Sequence, residues 1–74
     1  MAELKGSFNA QQVIKDPEII RELRQRSIII YSRKINNIGV AINLFLERNW
    51  TVTECWTDPA RNHFVLLESN IRED

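Results

Sequence analysis

The chain has 74 residues, a formal net charge of zero at pH 7 and a single cysteine. A chain this short forms one domain, and it buries only about 60% of the surface that its unfolded state exposes, so disulfides, metals or oligomerisation commonly stabilise it. The lone Cys55 excludes an intrachain disulfide, and the absence of a basic excess disfavours general nucleic-acid binding. We expect no metal and no cofactor. Of the usual sources of extra stability this leaves oligomerisation, so we expect the chain to assemble with copies of itself.

The first fifteen residues, 1–15, are predicted to form a flexible or partly helical leader. Within it, Ser7 or Asn9 is placed to cap a short helical turn. No apolar run approaches the ~20 residues that a membrane-spanning helix needs, and the N-terminus has no apolar signal-peptide core. We therefore expect a cytoplasmic protein that does not contact a membrane, with a compact core over 16–68 and a tail over 69–74.

The segment "DPEIIRELRQR", residues 16–26, carries the signals of a helix start. Asp16 is placed as the N-cap, and Pro17 occupies the first helical position, where its missing N–H costs nothing. The sequence therefore predicts a helix that packs on the core with one apolar face, formed by Ile19, Ile20 and Leu23.

The next two elements are a strand and a long helix. "SIIIYS", residues 27–32, is so apolar that it predicts a strand covered on both faces. In the predicted second helix, 35–49, a sheet-covering stripe consists of Ile38, Ala41, Ile42 and Phe45. Its apolar surface extends well beyond that stripe, and an excess of this kind indicates a partner. We expect an oligomer interface formed by Val40, Leu44, Phe45 and Leu46.

A β-hairpin follows. "WTVTECWT", residues 50–57, alternates in the manner of a strand, "TDPARN" is a turn, and "HFVLLE" is the returning strand. If Thr57 pairs with His63, one face of the hairpin consists of Trp50, Val52, Trp56, Phe64 and Leu66. The other face then consists of Thr51, Thr53, Cys55, His63, Val65 and Leu67, and a slip of one residue exchanges the partners.

The predicted fold class is α+β. An N-terminal helix precedes a β-α-β-β unit whose three strands form a small antiparallel sheet, with the last strand between the other two. Trp50 and Val52 are predicted to lie in the core beneath the second helix. Trp56 lies beside the turn, and three alternative roles are open for it. It closes the end of the core, lies at a subunit interface or offers a face for stacking.

Aromatic and basic residues flank the turn and the end of the first strand. The segment 21–34 is basic, whereas acidic residues lead from residue 47 onward. Three interpretations of the basic segment are open. It binds an anionic ligand, it contacts the acidic end of a neighbouring subunit, or its charges are simply solvated. A nucleotide-like ligand needs stacking and positive charge, and the residues predicted to bind it are Tyr31, Arg33, Lys34, Trp56, Arg61 and His63. No glycine-rich phosphate loop accompanies them.

Catalysis is disfavoured. A Cys–His nucleophile needs an activated thiolate, and Cys55 is followed across the hairpin by His63 but is flanked by the acidic Glu54. We expect a buried structural cysteine and assign no catalytic residue. The protein is therefore predicted not to be an enzyme.

From Ser27 to Glu68 the chain resembles very small β-α-β-β domains of unknown function found in bacterial and phage proteins. The matching features are an apolar strand ending near Tyr31, a helix with Ile42-Asn43 and Leu46, and "RNW" before the hairpin. Asn49 stands where these domains usually have Gly, and Asn also tolerates a left-handed helix cap. The resemblance implies a compact oligomer-forming unit without a known active site.

The leading hypothesis is a non-enzymatic oligomeric binding module. The resemblance to small domains of phage proteins implies an accessory protein that inhibits or sequesters a host protein or a small anionic, nucleotide-like ligand. The alternatives are a self-assembling scaffold subunit and a small enzyme that uses Cys55 and His63.

Overall fold

The computed structural model describes residues 7–70, which form a mixed α/β fold with one four-stranded sheet. In chain order the elements are β1 (Ser7–Asn9), α1 (Ala10–Lys15), a 3₁₀ helix (Pro17–Glu22), β2 (Ser27–Ser32), α2 (Ile35–Leu46), β3 (Trp50–Thr57) and β4 (His63–Ser69).

The strand order in the sheet is β1-β2-β4-β3. The last strand lies between β2 and β3 and is antiparallel to both, as predicted. The prediction of three antiparallel strands behind an N-terminal helix is wrong, because β1 adds a fourth strand parallel to β2 and precedes every helix described. A strand of three residues is too short to show the period-two pattern by which the other strands are detected.

The segment 7–15 belongs to the core, although we predicted it as a leader. Asn9 ends β1 and caps α1, as predicted: its side chain accepts a hydrogen bond from the Gln11 N–H at 2.9 Å, and its own N–H donates to Gln12 Oε1 at 3.1 Å. This capping box stabilises a helix of only six residues. Ala10 and Val13 of α1 are fully buried, and residues 1–6 lie outside the part that the structure describes.

The helix predicted from Asp16 onward is a short 3₁₀ helix. The Asp16 N–H donates to Gln12 O at 3.1 Å and so closes α1, while the Asp16 side chain makes no capping bond to the following turn. Pro17 prevents α1 from continuing past Asp16, and the segment after it forms a 3₁₀ helix of six residues. The apolar face is as predicted, since Ile20 is buried and Ile19 packs against the core.

The hydrophobic core lies between the sheet and the two α-helices. From the sheet it takes Ile28 and Ile30 of β2 with Val65 and Leu67 of β4, and the edge of the Phe45 ring meets Trp50 with 5.2 Å between the ring centroids. Trp50 therefore occupies the core as predicted. β2 is not covered on both faces, because its alternate side chains Ile29 and Tyr31 are half-buried on the side away from the helices.

The predicted stripe of α2 is confirmed, since Ile38, Ala41 and Phe45 are buried. The predicted oligomer interface on this helix is corrected. Phe45 is fully buried within its own chain and Leu44 packs partly against the core, because consecutive helical residues point in different directions. Only the two outer members of the predicted set remain exposed, Val40 and Leu46.

The turn after α2 is closed by Asn49, which has a φ of 69°. This is the left-handed conformation that we predicted at the position where the similar small domains have Gly. At the far end of the chain Ser69 belongs to β4, and the Asn70 N–H donates to Asn49 O at 2.8 Å. The predicted tail thus begins inside the sheet, and residues 71–74 lie outside the described residues.

Candidate ligand-binding surface

A β-bulge in β3 decides which side chains share a face. Thr57 pairs with His63, as predicted, but Val52 pairs with Leu67 and Glu54 with Leu66, so Thr53 is an extra residue without its own partner. A bulge of this kind shifts the alternation of side chains by one position.

The shift places the two tryptophans on opposite faces. Val52 pairs with the buried Leu67, so Trp50 and Val52 face the helices, whereas Trp56 pairs with Phe64 and faces away from them. The predicted common face of Trp50 and Trp56 is therefore wrong. Cys55 pairs with the buried Val65 and lies on the helix side, apart from Thr51.

The face of the sheet opposite the helices, here called the open face, carries a row of three aromatic rings. Tyr31 of β2 pairs with Phe64 of β4, and Phe64 pairs with Trp56 of β3. The Trp56 and Phe64 rings are stacked, with 5.4 Å between centroids and 12° between planes. The Tyr31 and Phe64 rings are tilted by 42°, with centroids 6.3 Å apart. We call Tyr31, Phe64 and Trp56 the aromatic row.

The aromatic row continues into aliphatic side chains. Ile29 and Leu66 are paired neighbours on the same open face, one step farther from the β3–β4 turn, and both are half-buried. Trp56 is 42% exposed, and the other four side chains of this patch are half-buried. A contiguous exposed apolar patch is characteristic of a binding surface.

The β3–β4 turn next to the aromatic row is held by Asp58. Its Oδ1 accepts hydrogen bonds from the Ala60 and Asn62 N–H groups, both at 2.9 Å, and its Oδ2 accepts one from Asn62 Nδ2 at 3.1 Å. The hydrogen bonds from Asn62 lower the pKa of Asp58 below its ordinary value, and the positive charge of Arg33 acts in the same direction. The predicted turn, initiated by Asp58, is thus confirmed.

Two arginines lie at this turn. Arg33 Nη2 donates to Ala60 O at 3.4 Å, which ties the end of β2 to the turn. Arg61 is exposed and has a left-handed φ of 70°. Both arginines therefore lie at the end of the sheet that carries the aromatic row.

The six predicted ligand-binding residues divide between two faces. Tyr31 and Trp56 lie on the open face, with Arg33 and Arg61 at the adjoining turn. Lys34 is exposed at the start of α2, and its N–H donates to Ser32 Oγ at 3.1 Å. His63 lies on the helix side, where its Nδ1 is 3.3 Å from Thr57 Oγ1, so it does not join the aromatic row.

Phe64 is the central ring of the row, and the sequence reasoning placed it with the core. The signal that could have found it is the predicted pairing of Thr57 with His63, because that register sets Trp56 directly opposite Phe64. What the sequence does not display is that this pair points away from Trp50.

Cys55 and His63 line a groove on the helix side. The groove has a volume of about 270 Å³ and includes Ile35, Ile38 and Ile42 of α2. Cys55 is an exposed free cysteine, so the expectation of a buried structural cysteine is corrected. β3 is an edge strand, and the groove between it and α2 leaves Cys55 exposed. Within residues 7–70, no three His, Cys, Asp or Glu side chains are grouped closely enough to hold a metal ion.

Comparisons of the chain with protein-family models, with curated proteins and with solved structures return no match. The resemblance to small β-α-β-β domains stays a prediction. In the part of the chain that the structure describes, the helices are all too short or too polar to cross a membrane.

Proposed function

We propose that the protein is a non-enzymatic binding module that holds a planar, nucleotide-like ligand on the aromatic row. The observation that carries this proposal is the stacked pair of Trp56 and Phe64, whose outer member is 42% exposed on the side of the sheet without α-helices.

The outer face of the Trp56 ring is the proposed stacking position. One face of the indole is occupied by Phe64, and β3 is the edge strand among residues 7–70, so no described strand lies beyond the other face. A nucleobase placed there would be the third ring of a stack that begins with Phe64 and Trp56. Stacking of one base on an aromatic side chain contributes about 1–3 kcal/mol, and it requires no particular base.

The two arginines at the β3–β4 turn supply positive charge for a phosphate. The guanidinium of Arg61 is exposed, and that of Arg33 makes a single long hydrogen bond at 3.4 Å to Ala60 O. A guanidinium binds phosphate with two parallel hydrogen bonds, which lysine cannot do. Lys34 and His63 are not required by this arrangement.

The ligand is proposed to be a single nucleotide rather than a long nucleic acid. Glu54 and Glu68 are exposed on the open face: Glu54 pairs with Leu66, beside the aliphatic pair, and Glu68 lies one step farther from the turn. A polyanion that followed the strands would pass from the arginines to these two carboxylates, which repel it. The zero net charge of the chain supports the same choice. In this proposal the module acts by occupancy, sequestering its ligand, and uses no catalytic residue.

The test is calorimetric titration of mononucleotides and cyclic nucleotides into the wild-type protein and two variants. Trp56→Ala removes the stacking ring, whereas Cys55→Ser changes the adjacent residue on the opposite face of the same strand and serves as the matched control. We expect Trp56→Ala to weaken binding about fivefold or more, from the stacking contribution of about 1–3 kcal/mol, and Cys55→Ser to leave it unchanged. Absence of heat with every nucleotide near a millimolar, or equal binding by Trp56→Ala, overturns the proposal.

A second candidate function is self-assembly through the same open face. It is favoured by the aliphatic pair Ile29 and Leu66 next to the aromatic row and by the separation of charge along the face. Arginines lie at the turn end and Glu68 at the other end, so two copies related by a two-fold axis across the strands bring Arg61 of each near Glu68 of the other. Such a dimer covers Trp56 and excludes the nucleotide, so the two functions are experimentally distinct.

A further inference from the structure

β3 presents an open hydrogen-bonding edge next to the β3–β4 turn. Among the described residues it is the last strand of the sheet, and residues 53–57 are all exposed. The Asp58 N–H donates to Asn62 O at 3.0 Å, so these two residues form a hydrogen-bonded pair of the antiparallel ladder. Such pairs alternate with pairs that do not bond across the ladder. The backbone N–H and C=O groups of Cys55 and Thr57 therefore point outward, away from β4.

An apolar groove lies on the helix side of the same edge. It has a volume of about 270 Å³, and α2 contributes Ile35, Ile38 and Ile42 to its lining. On the strand side the groove is lined by Cys55 and Thr57, the two residues whose backbone groups point outward. Ile35 is 60% exposed, so an aliphatic side chain that entered the groove would remove apolar surface from water.

We propose that this edge binds an extended peptide as an additional strand, antiparallel to β3. In this mode of recognition, main-chain hydrogen bonds supply affinity and the alternate side chains supply specificity. Two peptide residues, separated by one, bond to the outward groups of Thr57 and Cys55. Residues that pair across a sheet have side chains on the same face, so these two side chains enter the groove beside α2. The lining of the groove requires them to be aliphatic.

The peptide residue between these two lies opposite Trp56, with its side chain on the open face. Glu54 is exposed on the same face, and it forms no ion pair with any of residues 7–70. A lysine or arginine at the middle position of the peptide meets this carboxylate and the exposed indole together. The partner is therefore a segment with the pattern aliphatic–basic–aliphatic.

A second copy of this chain fits the groove less well than such a peptide. The outward residues in the exposed half of its own β3 are Cys55 and Thr57, whose short side chains leave the isoleucines of α2 uncovered. The proposal goes beyond the nucleotide site, which uses neither the edge nor the groove. The middle side chain of the peptide lies beside the stacking position on Trp56, so the two ligands compete when both are present, but each is tested alone.

The experiment is a titration of ¹⁵N-labelled protein, followed by nuclear magnetic resonance. The probe is an acetylated and amidated pentapeptide, Ser-Ile-Arg-Ile-Ser. We expect the amide signals of Cys55 and Thr57 to shift, with saturation in the millimolar range, and their hydrogen exchange to slow, because both N–H groups acquire an acceptor.

Two N-methylated forms of the peptide are the matched controls. Methylation of both isoleucine nitrogens removes the donors that face β3, and we expect it to weaken binding about tenfold or more. Methylation of the arginine nitrogen, whose N–H points away from β3, is expected to leave binding unchanged.

Two positions in β3 test the edge and the charge. Thr57→Pro removes one outward N–H at a position where an edge strand tolerates proline, and Thr57→Ala, which keeps that N–H, is its control. We expect Thr57→Pro to bind the peptide about fivefold or more weakly than Thr57→Ala. Glu54→Lys is expected to reverse the preference between peptides with arginine and with glutamate in the middle.

Three results would overturn the proposal. One is the absence of any shift of the Cys55 and Thr57 amide signals at about 5 mM peptide, and another is equal binding of the two N-methylated peptides. The third is slow exchange of both N–H groups that depends on protein concentration without peptide, which would show that a second copy occupies the edge. If Thr57→Pro does not fold, the N-methylated peptides and Glu54→Lys still decide.

Discussion

The indole of Trp56 is stacked on the ring of Phe64 across two antiparallel strands, on the face of the sheet away from the α-helices. Trp50, six residues earlier in the same strand, is buried beneath α2. A regular strand would place both tryptophans on one face, because their spacing is even. The extra residue Thr53 reverses the second half of β3 and thereby creates the open-face aromatic row.

Deletion of Thr53 should leave the fold and the aromatic row intact. Without this residue Val52 still pairs with Leu67 and Glu54 with Leu66, so the strand becomes regular and every remaining side chain keeps its face. We expect a change in melting temperature below about 5 °C, which corresponds to roughly 1 kcal/mol in a domain of this size.

Deletion of Leu66 from the neighbouring strand β4 is the matched control for that experiment. It also shortens the hairpin by one residue, but it moves Glu68 into the fully buried position of Leu67, on the helix side. A buried, unpaired carboxylate is strongly destabilising. Equal melting temperatures for the two deletions would contradict the placement of the bulge at Thr53.

Two adjacent residues of α2 should differ sharply in their contribution to stability. Phe45 is fully buried against Trp50, so Phe45→Ala is expected to cost about 3–5 kcal/mol in the free energy of unfolding. Leu46 is 48% exposed, and Leu46→Ala is expected to change that free energy by about 0.5 kcal/mol or less. Urea denaturation of both variants measures the difference, and comparable losses would show that Leu46 is also buried in solution.

The sequence was sufficient to predict β2, α2, β3, β4 and the pairing of Thr57 with His63, because each of these rests on a long periodic pattern or on a turn signal. It was insufficient for β1, whose three residues have no detectable period, and for the 3₁₀ helix, because Asp16 is also used to close α1. Local sequence signals such as Asp16 and Pro17 identified where the 3₁₀ helix begins. Whether that segment forms an α-helix or a 3₁₀ helix depends on the preceding helix α1, which the sequence did not clearly predict.

The candidate surface could be predicted only in part. Tyr31, Trp56, Arg33 and Arg61 were selected because stacking and charge are what a nucleotide requires. The face of Trp56 could not be predicted, since Thr53 looks like any other residue of an alternating strand.

The stability of the β3–β4 turn should depend on pH through Asp58. The pKa of this carboxyl is lowered in the folded state, chiefly by hydrogen bonds from Asn62, so its ionised form stabilises the fold. This contribution is present above the unfolded-state pKa of about 4 and is lost as the pH falls through the lower, folded-state pKa.

Asp58→Asn keeps acceptors for the backbone N–H groups of Ala60 and Asn62 but removes the charge. Melting temperatures of wild type and variant should therefore converge as the pH is lowered from about 6 towards 2. A difference between the two proteins that stays constant over this range would show that the ionisation of Asp58 does not contribute.

Cys55 should be accessible but dispensable in the folded protein. Its side chain is exposed at the edge strand, in the groove next to α2. We expect the native protein to react fully with a thiol reagent without denaturant, and Cys55→Ser to change stability by about 0.5 kcal/mol or less. Protection of the thiol at micromolar protein concentration, lost on dilution, would instead indicate that another subunit covers the groove.

The last prediction separates self-assembly through the open face from nucleotide binding. If two copies meet face to face with opposite ends aligned, Arg61 of one lies near Glu68 of the other, and both residues are exposed in the single chain. Arg61→Glu and Glu68→Arg should then each weaken the dimer, because each places like charges together, and the double variant should restore it. Light scattering over a range of concentrations measures the dimer, with Leu46→Asp as a control outside the open face. A wild-type protein that is monomeric at every concentration up to about a millimolar excludes the dimer and leaves the exposed face of Trp56 free for a ligand.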